Sequence, residues 1–148
     1  LGPCRAMSER LTSAEKSLPI MLLRAREAVM QRFRPMLKAH GISEQQWRVL
    51  RVLNEQGPTE PTKLAEQSVI LTPSLTRILD NLESRELVSR SRHPDDGRRQ
   101  VAVLTDKGHA MIAEITPESA AIYQALEQSF GHEETHVLMR ALRALAAI

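Results

Sequence analysis

Thr72-Pro73-Ser74-Leu75-Thr76-Arg77-Ile78-Leu79, set within Pro61 to Thr105, is the stretch from which the rest of the chain is read. A threonine side-chain oxygen can cap a helix, and a proline at the first helical position gives up no needed N–H, so Thr72 and Pro73 mark a helix start. Leu75, Ile78, Leu79 and Leu82 then recur at helical spacing and are expected to face a core. The opposite face carries Ser74, Thr76, Arg77, Asp80 and Asn81. Short hydroxyls, one long cation and an amide suit a helix whose first turns enter a major groove, where arginine reads guanine and Ser, Thr or Asn reach other edges or phosphates. Taken alone, the helix fits an ordinary amphipathic surface helix better.

The flanks shift that balance. Pro61-Thr62-Lys63-Leu64-Ala65-Glu66-Gln67 reads as a short helix and Val69-Ile70-Leu71 as a tight apolar turn, which together make a helix-turn-helix. Leu87-Val88-Ser89-Arg90-Ser91-Arg92 alternates like a strand, His93-Pro94-Asp95-Asp96-Gly97 has turn chemistry, and Arg98 to Leu104 alternates again. The result is a hairpin with Arg90, Arg92, Arg98 and Arg99 on or beside its tip. A cationic hairpin next to a groove-reading helix is hard to explain by packing alone. Candidate DNA contacts are therefore Lys63, Thr72, Ser74, Thr76, Arg77, Asn81, Arg92, Arg98 and Arg99. Arg98 and Arg99 are expected to reach the minor groove, which attracts guanidinium groups where it is narrow. Arg90 and Asp96 are expected to hold the wing, Asp96 pairing with Arg90 or Arg98.

Arg90, Asp96-Gly97-Arg98 and Leu104-Thr105-Asp106-Lys107-Gly108 together resemble the wing signature of the multiple-antibiotic-resistance regulator (MarR) family, and the resemblance runs from about Leu18 onward. The runs Arg26-Glu27-Ala28, Phe33-Arg34-Pro35 and Glu44 to Arg51 are similar to the subgroup of repressors of homoprotocatechuate and related aromatic-acid catabolism. The resemblance implies a homodimer on a palindromic operator and an effector pocket between the first two helices and the helix after the wing.

Composition sets the outer bounds. The 148 residues suffice for one domain, and 42% hydrophobic, 3% aromatic and 26% charged residues favour a helix-rich protein over a β-sandwich. A net charge of +2 does not imply nucleic acid by itself; the concentration of positive charge in the wing does. No apolar run approaches the ~20 residues that span a bilayer, and no secretory signal is visible, so a cytoplasmic location without membrane contact is expected. Cys4 is the only cysteine, which excludes an intramolecular disulfide and a multi-cysteine metal site. It lies in a run before Met7 that reads as a vector-derived remnant, residues 1–6, so a redox-sensor role is not expected.

The remaining chain reads as helices. Residues 1–17 are taken as a flexible terminus and 18–57 as dimerisation and pocket helices. Residues 58–105 form the winged helix-turn-helix, and 106–148 further dimerisation helices, all within one continuous structural domain. Ser17 to Ala39 carries Leu18, Leu22, Ala25, Val29, Phe33 and Met36 on one stripe, with Gly41 as a left-handed cap and Pro35 expected to bend or interrupt it near Arg32. Arg26 falls inside that stripe. A buried guanidinium without a partner costs several kcal/mol, so Arg26 either forms a structural ion pair, the somewhat favoured reading, or clamps the carboxylate of an aromatic acid. Ser43 and Gln46 form a capping box for the next helix, on which Trp47 and Arg51 share a flank that could line the same cavity. A lone tryptophan is more often core filler than ligand platform, and the family's pocket position is what makes Trp47 a pocket candidate. Thr105 is expected to cap the post-wing helix, and Thr116-Pro117-Glu118 to begin a fresh one. The terminal helices carry apolar faces too large for one chain to cover, which points to a second copy and two recognition helices about one DNA turn (~34 Å) apart.

His132-Glu133-Glu134-Thr135-His136 matches H-E-x-x-H, in which two helical histidines bind zinc and the glutamate acts as base. It sits at a helix start with little chain left for a third ligand, and an acidic first turn is its plainer meaning. The expectation is a mainly α protein with a small β-hairpin wing: a non-enzymatic, homodimeric regulator of double-stranded DNA. It needs no cofactor or metal, and a small aromatic carboxylate or its thioester releases it. A constitutive DNA-binding protein is the alternative, and a zinc hydrolase using His132, Glu133 and His136 a remote one.

Overall fold

A computed structural model describes residues 17–93 and 95–148; the expectations for the N-terminal segment and Cys4 fall outside them. In order come α1 (Leu18–Ala39), α2 (Glu44–Gln56), α3 (Pro61–Ser68), α4 (Thr72–Ser84), β1 (Val88–Arg92), β2 (Gln100–Leu104), α5 (Asp106–Phe130) and α6 (His132–Ala146). This is the mainly α architecture with a two-stranded hairpin. The chain divides into two compact units, one made of the chain up to Pro35 with Ala125–Ile148, the other Met36–Gln124.

The second unit holds the winged helix. Its core is closed by Leu50, Leu53, Leu64, Leu75, Leu79 and Leu82 from α2 to α4, with Leu87, Val88, Ala102 and Ile115. Ser43 accepts from the Gln46 N–H at 3.1 Å and Gln46 accepts from the Ser43 N–H at 3.0 Å, the expected capping box. Gly41 has φ +67°, and the Ile42 N–H reaches back to the Leu37 carbonyl, the expected left-handed cap. β1 and β2 pair antiparallel from Val88↔Leu104 to Arg92↔Gln100. Each strand is shorter than expected at one end, because Arg98 and Arg99 belong to the tip turn, where the Arg99 N–H bonds the Asp96 carbonyl. Thr59 adds a bridge to Ala102 at the hairpin's other edge.

Three expectations about helix ends are corrected. Thr72 does not cap α4 through its side chain. Leu71 is the capping residue and Thr72 is already helical, because Pro73 in the first turn lacks one of the N–H groups that would need an acceptor. Pro35 does not interrupt α1, which runs through it to Ala39; the packing of Phe33 and Leu37 on either side outweighs one lost hydrogen bond. Pro117 likewise starts no new helix. Its ring faces solvent, Ile115 and Ser119 are buried on either side, and the Thr116 hydroxyl donates to the Ile112 carbonyl at 2.6 Å.

The wing joins α5 through a close approach. Thr105 accepts from the Gly108 N–H at 3.0 Å, the expected cap, and its hydroxyl donates to the Glu86 carbonyl at 2.6 Å. A Cβ on Gly108 would stand 2.2 Å from the Leu87 carbonyl oxygen, so only glycine lets α5 leave the hairpin this tightly.

In the first unit, Phe33 is buried, while α6 has no buried residue. Leu18, Met21, Leu22 and Leu23 of α1 and Val137, Leu138 and Met139 of α6 are exposed. The Arg34 guanidinium makes a two-pronged pair with Glu27, one prong at 2.8 Å. That hydrogen bond is the main reason the exposed Glu27 carboxyl is held below its ordinary 4.5, with the charges of Arg34 and Arg26 adding to it against desolvation. Arg26 is exposed rather than buried, because the apolar stripe around it is not covered among the described residues: Leu22, one turn away, is 38% exposed.

Candidate nucleic-acid interface and effector cavity

α4 turns its leucine and isoleucine stripe into the core and leaves Thr72, Thr76 and Arg77 exposed, with Ser74 half-buried at the start of the same face. Lys63 on α3 and Arg92 and Arg98 on the wing are exposed as well. These side chains belong to one winged helix, with short hydroxyls and Arg77 on its helix and cations on its hairpin. That combination meets the chemistry of base edges and phosphates.

Two of the candidate contacts have partners within the chain. Asn81 is exposed, but its Oδ1 accepts from Gln46 Nε2 at 2.8 Å, so its amide oxygen serves α2. Arg99 lies 3.2 Å from Glu60 at the start of α3 and 3.8 Å from Asp96, which partly neutralises it. Asp96 holds the wing turn as expected, accepting from the backbone N–H of Arg98 at 3.1 Å. Its expected pairing with Arg90 is not formed. Arg90 instead grips the recognition helix, with Asp80 and, at 3.2 Å, Glu83 as partners. It fixes the angle between wing and helix from one strand position. Alternation alone showed Arg90 on the hairpin; that its side chain turns back to α4 depends on tertiary placement.

A cavity of about 250 Å³ opens between α2 and α5, lined by Trp47, Arg51, Asn54, Glu55, Ile112, Thr116, Ser119, Ala120 and Tyr123. Trp47 and Arg51 thus share one cavity wall, as their spacing implied. Trp47 is buried, and Arg51 Nη1 donates across to the Tyr123 hydroxyl at 3.4 Å, while its Nη2 is 3.9 Å from Glu55. Tyr123 was missed in the sequence. Its signal was available, since it is the chain's only tyrosine and lies one turn beyond Ser119 on the stripe through Ile112 and Ile115. Arg26 belongs to the other unit.

At the H-E-x-x-H segment, His132 is the first residue of α6 and its Nδ1 is bonded to Glu127. Among the described residues, no three His, Cys, Asp or Glu side chains are gathered as a metal site, and no helix is long and apolar enough to cross a membrane.

Residues 42–100, from the start of α2 through the wing tip, match the MarR family. The chain is 42% identical to the HTH-type transcriptional regulator FarR of Neisseria gonorrhoeae, over 92% of this chain and 93% of that one. It is 38% identical to the homoprotocatechuate degradative operon repressor of Escherichia coli, over 89% of each. A crystal structure of NadR in complex with 4-hydroxyphenylacetate superposes with a TM-score of 0.79 at 42% identity, covering 93% of this chain and 97% of that one. With that identity over nearly the full length, and with the winged helix in place, the chain belongs to the MarR family of transcriptional regulators.

Proposed function

We propose that this chain is a homodimeric repressor acting in the cytoplasm, holding a palindromic DNA operator until a small aromatic carboxylate or its thioester enters the α2–α5 cavity. Its work is recognition rather than catalysis. The observation that carries the effector half is the cavity wall of Trp47, Tyr123 and Arg51: two flat aromatic faces and one guanidinium. A guanidinium fork matches a carboxylate, and aromatic faces match a ring. NadR, the related regulator, has been crystallised with such an acid. The DNA half is supported by Ser74, Thr76 and Arg77 on α4 and by Arg92 and Arg98 on the wing. The exposed leucines of α1 and α6 support the dimer, since a second copy would cover them.

The test is a titration of 4-hydroxyphenylacetate and related aromatic acids into a complex of the protein with DNA from upstream of the genes beside its own. Release by at least one acid is expected, and Arg51→Ala is expected to abolish it while leaving DNA binding intact. Failure of every aromatic acid and thioester to release the DNA would favour constitutive binding instead.

A further inference from the structure

We propose that residues 41–48 form a relay by which an occupant of the cavity repositions α4, with Gln46 and Asn81 as its central link. The inference rests on the effector reading above and assigns it a route. Both ends of the Gln46 amide are engaged: its oxygen accepts from the Ser43 N–H at 3.0 Å and its nitrogen donates to Asn81 Oδ1 at 2.8 Å. The first bond completes the start of α2, and the second ties that start to the third turn of α4, on the stripe of Ser74 and Arg77. One turn further, Arg85 Nη1 donates to the Gly41 carbonyl at 2.8 Å. Before α4 begins, Arg48 Nη1 donates to the Val69 carbonyl at 3.3 Å. The recognition helix is thus held beyond both ends by one short stretch of chain.

Trp47 stands near the end of that stretch, buried against the cavity, and Arg51 follows one turn on. The same segment therefore faces the effector with residue 47, the recognition helix with residue 46 and the turn before that helix with residue 48. Packed segments shift as units rather than deform, and hydrogen bonds weaken steeply with misalignment. An acid that draws in Arg51 and presses on Trp47 displaces the segment, and Asn81 and Arg85 carry the displacement into α4. Such an effector acts only through its different affinity for the two placements of α4, and the coupling is reciprocal. Asn81 is on this account a positioning residue rather than a base contact.

The test compares wild type, Asn81→Ala and Asn81→Asp on a duplex selected from random sequence by the wild-type protein, with 4-hydroxyphenylacetate as probe. Asn81→Ala spares the capping box and puts a good helix former into α4. Asn81→Asp keeps an acceptor for Gln46. Probe affinity is read from the fluorescence of Trp47, the chain's only tryptophan. The release factor is each variant's duplex Kd with saturating probe divided by its own Kd without it. In Asn81→Ala we expect unchanged probe affinity and a release factor reduced by about fivefold or more, and in Asn81→Asp a factor within about twofold of wild type. A smaller loss in Asn81→Ala, or an equal loss in Asn81→Asp, overturns the relay while leaving the effector reading intact. A wild-type complex indifferent to this probe and to every other aromatic acid and thioester of the titration above overturns the effector reading and the relay with it.

Discussion

Leu50, Leu64, Leu82 and Ile115 are sealed inside Met36–Gln124, whereas α6 buries none of its residues and leaves Val137 and Leu138 open, as Leu18 and Leu22 of α1 are in the same unit. Both regions have amphipathic helices with similar leucine spacing. In the winged-helix unit, α2 to α4 and the hairpin pack on one another, so that Leu50, Leu64, Leu75 and Leu82 are covered within the same unit. The terminal helices have a stripe that stays exposed among the described residues of their unit. Helical patterning thus says that a face will be covered, and only the connectivity says by what.

The contrast can be broken by experiment. Leu82→Ala should cost the most, about 2–5 kcal/mol, since a fully buried leucine leaves both lost transfer energy and a cavity. Denaturant unfolding should show this loss at every protein concentration. Gly108→Ala comes next, at about 1–3 kcal/mol, because its methyl would meet the Leu87 carbonyl, a backbone atom with little room to yield. That loss too should be independent of concentration. Leu138→Ala should behave otherwise. With 43% of the side chain still exposed in the protomer, about 1 kcal/mol per copy remains to be gained by covering it. Sedimentation or concentration-dependent melting should place that loss in assembly rather than in the single chain. Equal concentration dependence for Leu82→Ala and Leu138→Ala would dissolve the distinction between the units.

The smallest effect belongs to Glu27. Because Arg34 holds its folded carboxyl below the ordinary 4.5, its contribution is present above that value and is lost as the pH falls through the lowered one. Glu27→Gln should slightly flatten the acid limb of a stability–pH profile. The difference should vanish in high salt, since the pair is exposed. An unaltered acid limb at low salt would show that the pair has no net effect on folding.

Much of this molecule is local and therefore legible in the sequence. The capping box of Ser43 and Gln46, the left-handed Gly41, the Thr105 cap and the hairpin each depend on residues a few positions apart. The continuity of the helices through the two interior prolines is not local in this way. Local rules count the missing hydrogen bond of Pro35 or Pro117 but not the buried Leu37 or Ile115 that keeps the helix whole. The cavity was half-visible: Trp47 and Arg51 lie one turn apart, but Tyr123 faces them from 72 residues away. That the Asn81 amide oxygen is taken by Gln46, 35 residues earlier, is not legible in the polarity of its own exposed face.

Val69 sits at φ 55°, ψ 54°, a corner where a β-branched residue has no preference to be, and its side chain is 78% exposed. The bend is imposed from outside, by the burial of Ile70 and by the hold of Arg48 on the Val69 carbonyl. The two helices it joins are therefore no transplantable cassette. Cut away from α2 and grafted onto another scaffold, they would lose the angle at which one presents the other.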